Sequence, residues 1–366
     1  MKHLVMLGAG HAHVHLLSTL TTQALAGVEI TLIAPYPRQL YSGMVPGFVA
    51  GHYAFEDCVI PLEPFLKNTS VTWLRHNATA LDAAQRTVTL DDGQNIPYDV
   101  LSINSGPVQD RQKIEQLMPG AAEHALFVRP IERFAALWPK VVAMGQQKPL
   151  RFAIIGGGAA GFELACAVTH RLPAASVTLL SGDTPVGANY PTAVQAMMVQ
   201  ALKARHITVL QTSACALTAG EVSLSSGARL ACDVPIIAIG AHAPGWLQGS
   251  GLALDEQGFV AVDVFQRSTS HPHVFAAGDV TSRQDVSLPK SGVYAVRAGA
   301  PLTRNLRAVL AGIQPAPYIP PKKTLNLLSC GSRHAIASWG NWSAQGRWVW
   351  WLKNRIDRGF IKKYSV

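Results

Sequence analysis

His273-Val274-Phe275-Ala276-Ala277-Gly278-Asp279 is a short apolar run that ends in Gly-Asp. Glycine at the end of such a strand lets another molecule approach closely, and the aspartate offers two acceptor oxygens to a sugar-like hydroxyl. Alone this decides little. Its weight comes from two earlier stretches, LVMLGAGHAH at residues 4–13 and RFAIIGGGAAGFELA at residues 151–165. Each reads as an apolar strand, a glycine turn and a helix start, an arrangement in which free N–H groups and the helix dipole hold a pyrophosphate. Two phosphate loops and one late Gly-Asp strand predict two dinucleotides, a flavin and a nicotinamide, on one chain.

In the first loop Gly8 and Gly10 permit the tight turn, but the third glycine of the pattern is His13. A larger residue there must loosen the helix or turn its ring elsewhere. His11 and His13 are read as ring N–H groups near the phosphates, or as histidines satisfied in the helix. With His15 they carry no supporting carboxylate or cysteine, so no metal site is read from them. The strand Val28–Ile33 ends in Ala34-Pro35 where an acid for the ribose is expected, leaving Arg38 or backbone groups to do that work. YSGMVPGFVAGHY, residues 41–53, suits a wall beside a flat ring. Asp91-Asp92-Gly93 marks a hairpin turn, and Asn104-Ser105-Gly106-Pro107 is a strand running into a glycine turn.

The second loop has all its glycines, Gly156, Gly158 and Gly161, with an unbroken helix after them. Its second strand ends in Ser181-Gly182 with Asp183 slightly late, so NADH and NADPH both stay open. The run from Asp233 to Gly240 returns the chain to the centre. Residues 288–310 predict one helix starting near the Gly-Asp strand. Lys290 and the helix start at Ser291, Gly292 and Val293 would stabilise negative charge on a ring edge.

Composition narrows the class. The 366 residues suffice for two domains, and 48% hydrophobic with 14% charged residues describes a globular chain. Every apolar run is broken before the length of a membrane span. Residues 1–26 resemble a signal peptide only superficially, because His11, His13 and His15 occupy its apolar centre; the expected location is cytoplasmic. Five scattered cysteines make neither a disulfide framework nor a zinc site. The net charge of +9 is mostly a tail property, because residues 331–366 hold seven Lys and Arg against Asp357 alone. Nucleic acid is therefore not an expected partner.

Beyond a proline-rich linker at residues 314–323, residues 325–329 read as a strand and the chain ends in an aromatic, basic segment. Trp348, Leu352, Ile356, Phe360 and Tyr364 recur at i,i+4, with Lys353, Arg355, Arg358 and Lys362 on other faces. Such an amphipathic helix fits an anionic membrane surface, here the inner face of the cytoplasmic membrane; a cap on the protein's own core or on a dimer partner is the competing reading.

In order and spacing these motifs resemble the pyridine nucleotide-disulfide oxidoreductase superfamily. Within it, the histidines after Gly10, residues 41–53 and WWLKNRIDRGF are most similar to flavoproteins associated with selenide water dikinase, which are themselves similar to type II NADH dehydrogenases and sulfide:quinone reductases. The resemblance implies an α/β chain of two Rossmann-like domains, an FAD domain (residues 1–110 and 262–320) with an inserted NAD(P)H domain (residues 111–261). A C-terminal strand and amphipathic helix (residues 321–366) complete it. It also implies that Asp279 holds the flavin ribitol, Gly106 lies by the FAD, Gly240 and Gly278 border the cofactors, and Glu163 lies where nicotinamide meets flavin. Two features depart from it. Val293 and Arg297 stand where type II NADH dehydrogenases place a glutamine pair, and only Cys166 and Cys330 are candidates for sulfide chemistry.

Three functions follow as expectations. The first is an FAD-dependent NAD(P)H oxidoreductase passing electrons to a second acceptor such as a quinone, with Lys290 and Glu163 as catalytic residues. The second is a sulfide or selenium-compound oxidoreductase. The third is a flavin-binding partner or sensor protein without turnover. The oligomeric state is not legible.

Overall fold

Among residues 1–365, which the computed structural model describes, both glycine loops join a parallel strand to a helix. The chain begins with β1 (Lys2–Leu7), α1 (His11–Leu20), β2 (Val28–Ile33), β3 (Val71–Leu74) and β4 (Val100–Ile103). It continues into β5 (Leu126–Phe127), α2 (Ile131–Gln147), β6 (Arg151–Ile155), α3 (Ala159–Arg171), β7 (Ser176–Leu180), β8 (Thr208–Leu210) and β9 (Val234–Ile237), and returns through β10 (Val274–Ala276). The first sheet has the order β10-β4-β1-β2-β3 and the second β5-β9-β6-β7-β8. Every pairing in both is parallel. Continuous apolar runs such as VLSI in β4 belong in such sheets because both faces are covered, in the first sheet by α1 and the helix at residues 299–310 on one side and by the antiparallel strands of residues 78–97 on the other. The fold is thus two Rossmann-like units, the second inserted in the first.

The return to the first unit comes earlier than the expected boundary at residue 261. Val108 and His242 bridge where the two crossovers meet. Beyond that point Leu247, Leu252 and Val260 bury with Val5, Leu101 and Val274 of the first unit. Apolar burial, which sequence position does not reveal, assigns residues 243–261 to the flavin side.

The single helix expected at residues 288–310 is two, α4 (Gly292–Arg297) and α5 (Gly299–Leu310), with residues 288–291 outside both. At the junction a Cβ on Gly299 would lie 3.0 Å from the His15 Cβ, so glycine lets α5 lie directly on α1. At the C-terminus the single expected strand is a three-stranded antiparallel sheet, β11 (Leu325–Ser329), β12 (Ala335–Trp339) and β13 (Trp342–Gly346), followed by α6 (Arg347–Lys363).

The i,i+4 stripe of α6 divides between its two expected placements: its N-terminal part faces outward, while Tyr364 is buried against the first unit with Phe360 packed beside it. Val349, Lys353 and Asp357 are its buried residues, whereas Trp348, Trp351 and Ile356 are 53%, 58% and 44% exposed. A stripe of large apolar residues normally turns inward. Here the inward position is taken by a lysine and an aspartate that neutralise each other, and hydropathy carries no record of that pairing. No helix among the described residues is long and apolar enough to cross a membrane.

Candidate active site

A cavity of about 380 Å³ opens at the C-terminal ends of the first sheet's strands and at the start of α1, where ligands bind in open parallel sheets. Gly8, Gly10, His11, Arg38, Ser42, Gly106, Arg129, Asp279 and Gly292 line it. Gly8 has φ +85°, and a Cβ there would lie 2.5 Å from the Ser105 Cα; a Cβ on Gly10 would lie 2.4 Å from Asn104 Oδ1. Both glycines are therefore demanded by the close passage of the 104–107 turn. Asn104 is the keystone: its Oδ1 accepts from the Ala12 and His13 N–H groups at 3.0 and 3.2 Å, and its Nδ2 donates to the Ala277 carbonyl. It caps α1 from outside.

The two histidines of this loop have different fates. His11 lines the cavity with a buried Nε2 that has no partner among the described residues, and burial together with the Arg129 charge lowers its pKa to about 4, so it is a neutral imidazole. His13, expected at the cofactor, is fully buried and does not line the cavity. Its Nδ1–H donates to the Gly8 carbonyl and its Nε2 accepts from Ser102 Oγ at 2.8 Å, so it replaces the missing glycine by bonding the helix to the sheet. Across the cavity a Cβ on Gly292 would lie 3.2 Å from Ser42 Oγ, which sets residues 41–44 opposite the start of α4. Arg38 stacks 4.6 Å over Phe55, Gly106 has φ +71°, and burial raises the Asp279 carboxyl against the opposing pull of Arg129 and Lys290. The orphaned imidazole, the glycine cradle and the carboxylate match the needs of a dinucleotide's phosphates and polyol.

In the second unit a Cβ on Gly161 would lie 1.8 Å from the Gly156 carbonyl oxygen, and one on Gly157 would lie 2.7 Å from the Ser181 Cβ. Around Gly158, which begins α3 without a side-chain cap, there is nothing within 4 Å. Close packing behind the loop and open space before it are what a phosphate requires. Gly161 is thus a packing residue. Gly240 has φ +70°, and a Cβ there would lie 2.8 Å from the His242 ring.

Several expected residues lie elsewhere. Lys290 does not line the first cavity. Its ammonium donates to the Thr281 carbonyl and packs 3.7 Å over the Phe259 ring, in a separate cleft behind the Gly-Asp strand, because residues 288–291 are not helical. Gly278 borders that cleft, and its missing side chain makes room for Asn104 and Ala295. Ser291 acts through its backbone N–H on Asp279, and Val293 lines neither space.

Glu163 faces the C-terminal segment. Its Oε1 accepts from the Ser329 N–H at 2.7 Å, and burial raises its pKa to about 7 against the pull of Lys353. Lys353 Nζ donates to the Gly43 carbonyl and to Asp357 Oδ2, both at 2.7 Å, and Tyr41 bonds Asp357 while stacking 4.5 Å on Phe360. Glu163, Lys353, Asp357 and Tyr41 thereby join the inserted unit, the C-terminal helix and the 41–44 wall. Of these only Glu163 was singled out in the sequence; Tyr41, Asn104, Lys353 and Asp357 lie inside quoted stretches without a role read for them, and Arg129 lies in none. Glu163 binds a proton on folding that the unfolded chain, at 4.5, has already released. This group therefore weakens the fold as pH rises from 4.5 through about 7. Glu163→Gln is expected to flatten the difference between thermal melts at pH 5 and pH 8; an unchanged difference would assign it to other groups.

A protein with these two cradles belongs to the class of oxidoreductases with two dinucleotide-binding units. Residues 2–299 match the pyridine nucleotide-disulphide oxidoreductase family, and the chain belongs to it. It is 30% identical over 240 residues to an NADH dehydrogenase-like protein of Mycobacterium tuberculosis, a match spanning 62% of this chain and 59% of that one. Among solved structures it is similar to NDH2 from Plasmodium falciparum in complex with NADH (TM-score 0.84, 14% identity, 99% and 97% of the two chains). It is also similar to the sulfide:quinone oxidoreductase of Aquifex aeolicus (TM-score 0.81, 18% identity, 100% and 91% of the two chains).

Proposed function

We propose that this chain oxidises NADH through bound FAD and hands the electrons to a quinone at an anionic membrane surface. The observation that carries the proposal is the meeting of three elements at one place: Glu163 on the helix of the nicotinamide loop, Lys353 on α6, and the Gly43 carbonyl next to Ser42, which lines the flavin cavity. FAD supplies a two-electron acceptor when bound. Gly8, Gly10, His11, Gly106 and Asp279 hold it, Arg38 and Gly292 border it, and the start of α3 at Gly156 and Gly158 holds the nicotinamide dinucleotide. Near neutral pH Glu163 is poised between its protonated and ionised forms, and beside Lys353 it can hold a proton where the inserted unit meets the C-terminal segment. NADH is favoured over NADPH because residues 181–190 contain no lysine or arginine to meet a 2′-phosphate, whereas Asp183 lies exposed just past β7.

The thiols speak against sulfide chemistry. Cys166 and Cys330 are both fully buried, and burial raises both, Cys330 to about 12, so neither supplies a thiolate near neutral pH. The membrane part rests on the exposed face of the C-terminal segment. Trp339 and Trp342 from the β12–β13 turn stand 56% and 49% exposed beside Trp348 and Trp351, amid Arg347, Arg355, Arg358 and Lys362. Aromatic rings with interspersed cations suit the headgroup layer of an anionic bilayer. In sedimentation with vesicles containing phosphatidylserine, Trp348→Ser with Trp351→Ser is expected to lower the bound fraction several-fold. Binding that ignores both changes and salt would remove the membrane claim.

An anaerobic visible spectrum tests the core of the proposal. NADH should bleach the oxidised flavin band at lower concentration than NADPH, and a soluble quinone should restore it. A flavin spectrum indifferent to both nicotinamides would overturn it in favour of a binding protein.

A further inference from the structure

The cleft behind the Gly-Asp strand is larger than the flavin cavity, about 880 Å³, and no step of the proposed reaction uses it. Residues 253–257 and 281–290 line it, together with Gln266, Tyr294 and Tyr318. Its walls are fastened. Thr281–Arg283 pair in parallel with Val260–Val262, and Lys290 closes back onto the Thr281 carbonyl and the Phe259 ring. The proline-rich stretch that reads as a linker is fixed as well: Asn305 bonds both the N–H and the carbonyl of Ala316, and the Tyr318 N–H donates to the Val264 carbonyl at 2.8 Å. Three residues that line this cleft carry buried polar atoms with no partner among the described residues, namely Gln266 Oε1, Arg283 Nη1 and the Tyr318 hydroxyl. The other atoms of the first two are bonded, which fixes their orientation. Gln266 Nε2 donates to the Ala298 carbonyl at 3.1 Å, and Arg283 Nε and Nη2 each donate to Asp285 at 2.7 Å. Gln266 also holds φ +64°, a left-handed backbone that residues other than glycine keep mainly at functional sites. An acceptor, a donor and a hydroxyl left unmet around one cleft call for a ligand that meets them.

Charge narrows the ligand class. Arg283 is neutralised by Asp285, and Lys290 faces Asp255 and Asp279, so no cation lining the cleft is free for a phosphate or carboxylate. Asp255 and the exposed Glu256 make that side of the cleft acidic, which suits the hydroxyls of a sugar. Tyrosine rings suit a flat base, and Gln266 with Arg283 suits a base edge that carries both a donor and an acceptor. We propose that this cleft binds a neutral nucleoside, with its base against Tyr294 and Tyr318, its polar edge on Gln266 and Arg283, and its sugar toward Asp255 and Glu256. The site is separate from both phosphate loops but adjoins the first, because Asp279 lines this cleft and the flavin cavity alike. The inference takes from the function proposed above only that FAD and a nicotinamide dinucleotide fill the two loops, and it does not depend on the electron acceptor.

Calorimetric titration of adenosine, inosine and uridine into protein saturated with FAD and NAD+ tests it, since both phosphate loops are then filled. At least one of the three is expected to bind with one equivalent, and its 5′-monophosphate about 10-fold more weakly, because the acidic side repels the phosphate. Tyr318→Phe removes a hydroxyl that the protein itself leaves unpartnered. Its thermal melt should equal or exceed that of the parent, while nucleoside affinity falls about 3- to 10-fold, the worth of one neutral hydrogen bond. Saturated protein that takes up none of the three at millimolar concentration overturns the inference without any variant. Affinity that Tyr318→Phe leaves unaltered does the same, as does a monophosphate that binds more tightly than its nucleoside. A lower melt for Tyr318→Phe would show that the hydroxyl serves the fold, and would also overturn its place in the site. None of these outcomes touches the proposed function, which falls instead if the chain takes up no FAD.

Discussion

Replacing Lys353 with methionine is expected to destabilise the protein by about 3–5 kcal/mol, the range for removing one member of a buried ion pair. Lys353 and Asp357 side chains are 10% and 5% exposed, and among the described residues the lysine is the only cation that bonds the aspartate. Methionine matches the lysine stem in volume, so the loss comes from charge and hydrogen bonding. Asp357 keeps the Tyr41 hydroxyl as a partner but must then take up a proton or remain a lone carboxylate against the apolar wall. The Gly43 carbonyl loses its donor too, which loosens the 41–44 wall of the flavin cavity. Thermal melts and flavin retention after gel filtration should therefore fall together. Lys353→Met with Asp357→Leu should recover most of the melting temperature, because two matched apolar residues leave no buried charge. It should not recover proton delivery, and turnover should stay low. If the single variant melts with the parent, the pair is not buried in solution as described.

Gly161→Ala is expected to cost about 3 kcal/mol or more and to lower nicotinamide affinity at least about 100-fold, because overpacking against immovable backbone is felt in full. The added methyl would lie 1.8 Å from the Gly156 carbonyl oxygen, which cannot swing aside without opening the phosphate loop. Gly158→Ala provides the contrast. Its methyl meets nothing within 4 Å, so the melt should be preserved while the methyl intrudes on the space left for phosphate. Melting curves and NADH titration of the flavin-loaded protein separate the two outcomes. Equal effects at both positions would show that the loop does not divide into a packed back and an open front.

Much of this organisation was legible because backbone requirements leave a mark in sequence. Gly8, Gly10, Gly156 and Gly161 are glycines because a Cβ has nowhere to go, and the apolar runs before them are buried on both faces. A missing glycine was legible as well, although the solution at His13, two hydrogen bonds between helix and sheet, was not. Lys290 illustrates the opposite limit. Its position after a Gly-Asp strand suggested a role at the ring, but where a lysine's long stem ends depends on what surrounds it, here Phe259 and the Thr281 carbonyl.

The sequence by itself determined the two phosphate loops, the strand that completes the first sheet and therefore the double α/β plan, because glycine sterics and strand burial act within a few residues. Tertiary structure alone decided which face of α6 turns inward, where the inserted unit ends, and that Glu163, Lys353, Asp357 and Tyr41 converge. These depend on polar contacts between residues as far as 316 positions apart, as Tyr41 and Asp357 are, and on apolar surfaces that meet only after folding. No local pattern records either, because pairing energy belongs to the pair and not to its members.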